Sequence, residues 1–246
     1  MIQKKTRCGR IVAGVLGALV CVCLVACAVY FGGYYRADAR ALAALESNNA
    51  VTVQASDDQV VFSGPDASPE STRGLVFYPG ANVEFTAYAP LMHALAADGW
   101  QVVLVKMPLN HAFMNISAAD QAMKAAPQVE RWFVGGHSLG GAMSAMYADD
   151  HADQLQGLVL LAAFSTKDLT DTDLDVYCIH GTEDGVLNRD SHEKYQSNVA
   201  SLVSELEIAG GNHALFGSYG FQKGDNAAKI TSEEQIAQTV AFLHAA

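Results

Sequence analysis

From Gly74 onward, short unbroken apolar runs alternate with longer stretches whose apolar residues recur every three or four positions. The runs are GLVFY (74–78), WQVVLVKM (100–107), RWFVGG (131–136), GLVLLAAF (157–164), DVYCIHG (175–181) and SELEIAG (204–210). The stretches between them predict helices near 86–98, from about 117, over 139–150 and around 190–203. A last helix is predicted over 232–245, opened by Thr231-Ser232-Glu233-Glu234. Strands alternating with helices imply βαβ units and a parallel sheet. Runs such as VVLV and LVLL are apolar at every position rather than every second, as strands buried on both faces require. Upstream, VTVQA and QVVF flank SDD and predict a small antiparallel pair, SGPDASPEST (63–72) is a loop by composition, and RADARALAALESNN (36–49) predicts a short helix. Ser117 and Asp120 are expected to cap the helix that follows them, with Asp a weaker partner than Glu. The chain has no internal repeat.

The first 35 residues follow neither rhythm. MIQKKTRCGR is basic, and Ile11 to Tyr35 then carries no charge. At 1.5 Å per residue, those 25 residues reach ~37 Å, beyond the ~30 Å hydrocarbon core of a bilayer. A transmembrane helix is expected here. The cations ahead of it hold the N-terminus inside, and Tyr30, Phe31, Tyr34 and Tyr35 cluster at the far interface. Two alternatives stand beside an uncleaved anchor. One is a cleaved signal, whose apolar core usually spans only ~7–15 residues. The other is a lipoprotein: Leu24-Val25-Ala26-Cys27 resembles a lipobox ending at Cys27. All three place the body outside the cytoplasm. The expected organisation is an anchor at 1–35, a juxtamembrane helix at 36–49 and one domain at 50–246.

Charge narrows the partners. The chain carries 15 basic and 26 acidic residues, and four of the basic ones, Lys4, Lys5, Arg7 and Arg10, lie in the first ten positions. The remainder keeps 11 basic against 26 acidic residues, a balance of −15. Nucleic acid, which needs a basic footprint, is therefore not an expected partner. Four of the five cysteines fall in the first 27 residues, and Cys178 alone sits in the body, so no disulfide is expected there. Cys178 reads as a small buried apolar residue.

The chemistry-bearing residues cluster at strand ends. In an open α/β sheet, sites form beyond the carboxyl ends of the strands. Gly136-His137-Ser138-Leu139-Gly140 gives a G-x-S-x-G pattern between a strand and a helix, the context in which such a turn exposes a nucleophilic serine. A serine needs a base, a group that orients the base, and donors for an oxyanion. Asp184 follows DVYCIHG in GTEDG, with Glu183 as the rival carboxylate, and His213 follows the last strand in GGNHALFG. The order Ser138, Asp184, His213 is the one expected on an α/β-hydrolase sheet. Met107-Pro108-Leu109-Asn110-His111 reads equally as pocket lining or as packing and turn. Asn115-Ile116-Ser117 matches a glycosylation sequon, which the capping role of Ser117 explains as well. His137 and His180 belong to no ligand spacing that predicts a metal. The chain also lacks both a G-x-G-x-x-G after a strand and a P-loop lysine, so no cofactor is expected.

On Tyr78-Pro79-Gly80-Ala81-Asn82-Val83, GGHSLGG and GGNHALFGSYG, the chain resembles the α/β-hydrolase superfamily, and within it a compact bacterial group, over about 74–244. The resemblance implies an α/β-hydrolase fold: a mostly parallel twisted sheet with helices on both faces, here preceded by the transmembrane helix. It implies catalytic Ser138, Asp184 and His213, with backbone oxyanion donors at Ala81 and Leu139. In relatives, the strand ending in His-Gly is followed by two variable residues and then the acid, which selects Asp184 over Glu183. Only ten residues separate Phe164 from Asp175, too few for the cap domain many relatives carry. The implied activity is hydrolysis of a small-molecule ester or related acyl substrate at the cell membrane, without a cofactor. An acyltransferase with the same triad and a catalytically silent scaffold are the alternatives.

Overall fold

The computed structural model describes residues 2–64, 73–199 and 203–244, which fall into two compact units, Met1–Tyr34 and Tyr35–Ala246. Most of the loop expected over 63–72 and the end of the helix expected to reach 245 lie outside the described residues; the helix expected around 190–203 instead ends at Tyr195, passes through a 3₁₀ turn at Gln196–Asn198, and Val203 already opens a strand.

The first unit is one helix, α1 (Ile2–Gly32). Its stretch Val12–Gly32 is long and apolar enough to cross a bilayer by length and composition. Val12, Leu16, Leu19 and Leu24 are all more than half exposed, so this helix buries no apolar stripe as a core helix would.

The second unit begins by attaching itself to the domain. Tyr35 pairs in parallel with Val83, giving its N–H to Asn82 O (2.7 Å) and accepting from Glu84 N (2.8 Å). The helix expected over 36–49 is only α2 (Ala39–Ala43), capped by Asp38. It stops because the next polar side chains bond locally: Asn48 Oδ1 accepts from Ala50 N and Val51 N (2.8 and 2.9 Å), and Ser47 Oγ accepts from Val53 N. Ala41 is fully buried, so this segment is part of the domain rather than a free stalk.

Eight strands then make one sheet. They are β1 (Thr52–Ala55), β2 (Gln59–Ser63), β3 (Arg73–Tyr78), β4 (Trp100–Val105), β5 (Arg131–His137), β6 (Gly157–Leu161), β7 (Asp175–Gly181) and β8 (Val203–Ile208). Their order is β1-β2-β4-β3-β5-β6-β7-β8, with β1 and β2 antiparallel and β3 to β8 parallel. The helices are α3 (Ala89–Ala97), entered through a 3₁₀ turn at Phe85–Tyr88, then α4 (Ala118–Ala125), α5 (Leu139–Asp150), α6 (Arg189–Tyr195) and α7 (Ser232–Leu243).

Alternate residues of one strand feed two cores. Leu75 and Phe77 of β3 pack with Trp100, Leu95, Met92 and Ile236, on the face covered by α3 and α7. Val76 and Tyr78 pack with Val103, Val134, Leu158 and Tyr147, on the face covered by α4 and α5. Period two within a continuous apolar run is what a two-sided sheet requires. Each such side chain, fully buried, contributes about 1.5–3 kcal/mol.

The cap expected for α4 is different. Ser117 is exposed and makes no side-chain capping bond. The Ala119 N–H is met instead by Tyr78 Oη (3.1 Å), and Asp120 Oδ1 accepts from Tyr147 Oη (2.6 Å). A tertiary acceptor from β3 has replaced the local one. At α7 the local signal holds, with Thr231 and Glu234 forming a reciprocal capping box.

Candidate active site

The elements converge at the carboxyl ends of β3, β5, β7 and β8. The turn from β5 into α5 carries Ser138 at φ 54°, ψ −122°. A non-glycine residue at positive φ is strained by about 1–3 kcal/mol and persists only where its surroundings over-determine it. Here Ser138 N donates to Leu161 O (2.9 Å), and Ser138 O accepts from Ala142 N (3.1 Å). The flanking glycines are not the residues at positive φ. They make room. A Cβ on Gly136 would lie 2.6 Å from Tyr78 O, one on Gly140 would collide with the same carbonyl, and one on Gly141 would lie 2.5 Å from Ala163 Cβ. The turn is pressed against the end of β3, and the strain falls on the serine.

His213 follows β8. Its Nδ1 lies 2.9 Å from Asp184 Oδ2, and both side chains are almost fully enclosed. The other oxygen of Asp184 accepts from Val186 N and Leu187 N (both 2.8 Å). Burial alone would raise the Asp184 pKa. The hydrogen bond and charge of His213, together with the two N–H donors, outweigh it and hold the carboxyl below its usual range. Glu183 points elsewhere and pairs with Lys229 Nζ at 2.6 Å. The structure thus brings Asp184, and not Glu183, to His213.

Ser138, Leu139 and His213 line one cavity of about 260 Å³, with Ala162, Phe164 and Leu187 among its walls. His213 Nε2, the ring nitrogen away from Asp184, has no hydrogen-bond partner among the described residues. The Ser138 hydroxyl therefore lies in the same cavity as the imidazole without being bonded to it. Such contacts often tighten only when substrate arrives. A larger hollow of about 660 Å³ lies between α3 and α7 and has no Ser, Thr or Cys among its described lining residues.

The turn after β3 is held from both sides. Gly80 N donates to Tyr88 Oη (3.1 Å), and Asn82, at φ 55°, donates to Asn110 O (3.0 Å). Between them, Ala81 N has no acceptor among the described residues. Leu139 N opens α5, where first-turn donors have no intrahelical acceptor. The loop Met107–His111 does not line the cavity. It supports this turn through Asn110, with Leu109 and Asn110 both at positive φ.

Sequence reasoning missed three supporting residues. Tyr88 Oη accepts from Gly80 N (3.1 Å) and also meets His137 Nδ1 at 2.8 Å, tying the turn after β3 to the histidine beside Ser138. Burial, then the neighbouring His213, hold the His137 pKa well below the usual imidazole range. Asp225 joins the two loops that carry Asp184 and His213: Oδ1 accepts from Gly185 N (3.0 Å) and Oδ2 from Ala214 N (2.9 Å). Gln235, fully buried on α7, accepts from Asn212 N (3.0 Å) and donates to Asn212 O (2.9 Å), clamping the residue before His213. No local pattern announces these contacts, which join residues 8 to 49 positions apart. Cys178 is buried, and burial pushes its thiol up to about 12.

Between β6 and β7, residues 162–174 contain turns and no helix, so no cap covers the cavity from that connection.

Residues 74–237 match the sequence profile of the Alpha/beta hydrolase family. That span is well over half of the chain, and the protein belongs to this family. No curated protein sequence matches it. Among solved structures it is similar to a predicted CIB-like hydrolase from Thermoplasma acidophilum, with a TM-score of 0.57 at 16% identity, covering 80% of this chain and all of that one. It is also similar to TT1662 from Thermus thermophilus, with a TM-score of 0.56 at 12% identity, covering 79% of this chain and 97% of that one. At such identities the likeness concerns the fold alone.

Proposed function

We propose that this hydrolase-family protein is a serine esterase, held at a membrane by α1, that cleaves a small acyl ester through Ser138, His213 and Asp184. One observation carries the reading: a buried imidazole hydrogen-bonded to a buried carboxylate lines the same cavity as a serine held at positive φ.

In this reading Ser138 Oγ attacks the acyl carbonyl carbon, and its proton passes to His213 Nε2. Asp184 accepts from Nδ1–H, which keeps Nε2 free to receive that proton and stabilises the imidazolium that results. The tetrahedral oxygen takes hydrogen bonds from the N–H groups of Ala81 and Leu139. Collapse expels the alcohol, protonated by His213. Water, deprotonated by His213, then attacks the acyl-enzyme carbonyl and frees Ser138. The cavity walls are mainly apolar and enclose only about 260 Å³, which suits a short acyl chain over a long one.

A fluorophosphonate probe tests the nucleophile. It is expected to label the wild-type chain once, on Ser138, and to leave Ser138→Ala unlabelled. Labelling that survives in the alanine variant assigns the role to another serine. A folded wild type that never reacts removes the esterase reading altogether.

A further inference from the structure

His180, His192 and Glu205 come from β7, α6 and β8 and present one ligand atom each, all within 4.8 Å of one another. We propose that these three side chains form a binding site for a divalent transition metal of the Zn²⁺ type, with water as the fourth ligand. None of the three lines the Ser138 cavity, and the inference does not depend on the esterase reading.

Distances carry the argument. His180 Nε2 lies 3.2 Å from Glu205 Oε1, and His192 Nε2 lies 3.4 Å from the same oxygen. Charge-assisted hydrogen bonds between such groups run at about 2.7–2.9 Å. Ligand atoms about 2.0–2.2 Å from a tetrahedral zinc lie roughly 3.3–3.6 Å apart. The first separation is a hydrogen bond at the long end of its range and the second lies beyond it, and both match edges of a coordination tetrahedron. His180 is buried and His192 half-buried, with side-chain exposures of 7% and 13%, while Glu205 reaches in from the exposed edge strand with its side chain 29% exposed. Two imidazoles and a carboxylate are a donor set that zinc takes with three protein ligands and one open position.

The surroundings supply the orienting contacts such sites need. Gln196 Nε2 donates to Glu205 Oε2 at 2.8 Å, holding the carboxylate so that Oε1 faces the imidazoles. Glu207 Oε1 lies 3.7 Å from His180 Nδ1, on the far side of that ring. Binding asks for one local change. Nδ1 of His180 now meets Arg189 at 3.1 Å. With Nε2 on the metal, Nδ1 carries the proton and turns to Glu207. Arg189 keeps its bond to Gly181 O (2.6 Å).

An ion here clips α6 to the edge strand β8. Residues Val186 to Asn188, just ahead of α6, line the Ser138 cavity, and the N–H groups of Val186 and Leu187 hold Asp184. Metal binding therefore stiffens one wall of that cavity.

The test uses the full chain in detergent, without a histidine tag, titrated with Zn²⁺ and with Co²⁺. One equivalent is expected to bind, Co²⁺ should show the visible absorption of a tetrahedral site, and Zn²⁺ should raise the thermal midpoint. His192→Ala and Glu205→Gln are each expected to weaken binding at least 100-fold and to cancel that rise. Gln196→Ala should weaken it about 10–100-fold. Metal-free melting of each variant, matched to metal-free wild type, shows that the fold survives. Wild type without stoichiometric binding, or folded variants that bind as tightly as wild type, overturns the site.

Discussion

Asp184 and Glu183 are adjacent, yet their surroundings differ in kind. Asp184 spends one oxygen on the His213 imidazole and the other on two backbone donors. Glu183 meets a lysine that is 71% exposed, the kind of pair whose net contribution is about 0–1 kcal/mol. Asp184→Asn replaces an acceptor with an amide at the atom that sets the histidine tautomer. In a serine protease the same change lowers kcat about 10⁴-fold. A fall of several orders of magnitude in kcat is expected for Asp184→Asn, against less than about tenfold for Glu183→Gln, measured on one ester at saturation. The reverse pattern would place Glu183 against the base and refute the assignment. Ser138, Asp184 and His213 were legible in the sequence because each sits in a short local pattern at a strand end. Their supports were not. Tyr88 reaches His137 across 49 positions, and the proposed metal trio is scattered over positions 180, 192 and 205, so spacing carries no signal.

At the scale of elements, the continuous apolar runs gave the strands, because a strand buried on both faces leaves no room for polar alternation. Helix ends read less well. The helix expected over 36–49 shrinks to Ala39–Ala43 where Ser47 and Asn48 take over backbone donors, and α4 is capped by Tyr78 from another element. Local chemistry fixes a helix end only where no tertiary partner competes for it, as at α7. The two loops that carry Asp184 and His213 show how much rests on such partners. Asp225 bridges them with two hydrogen bonds, and in Asp225→Asn one of the two backbone donors faces an amide NH₂. A buried donor without an acceptor costs about 1–3 kcal/mol. The variant is expected to melt lower by an amount in that range. Its kcat is also expected to fall about 10–100-fold with KM little changed, because Asp225 touches neither wall of the cavity nor substrate. A lower melting point with unchanged kcat would make Asp225 purely structural.

For the whole molecule, the decisive feature is where the domain's chain begins. Tyr35 is stitched between Asn82 and Glu84, beside the Ala81 turn, and only Gly33 and Tyr34 separate it from the end of α1. Val12 to Gly32 is charge-free and long enough to cross a bilayer, and the large apolar side chains described along it are exposed. In the proposed reading a bilayer covers them. Lys4, Lys5, Arg7 and Arg10 precede the apolar run, so under the proposed anchor the positive-inside tendency would keep them in the cytoplasm and put the domain on the other side. The body carries 11 basic against 26 acidic residues, a balance that disfavours salt-sensitive attachment to anionic lipid. Detergent, and not high salt, is therefore expected to extract the protein. Protease added outside intact cells or spheroplasts should cut near residues 33–36 and release a domain that still reacts at Ser138. Fatty-acid labelling that disappears in Cys27→Ser would replace the spanning helix by a lipid at that cysteine, with the domain on the same side. Recovery of the intact chain from the cytosolic fraction, untouched by external protease, would eliminate both forms of attachment.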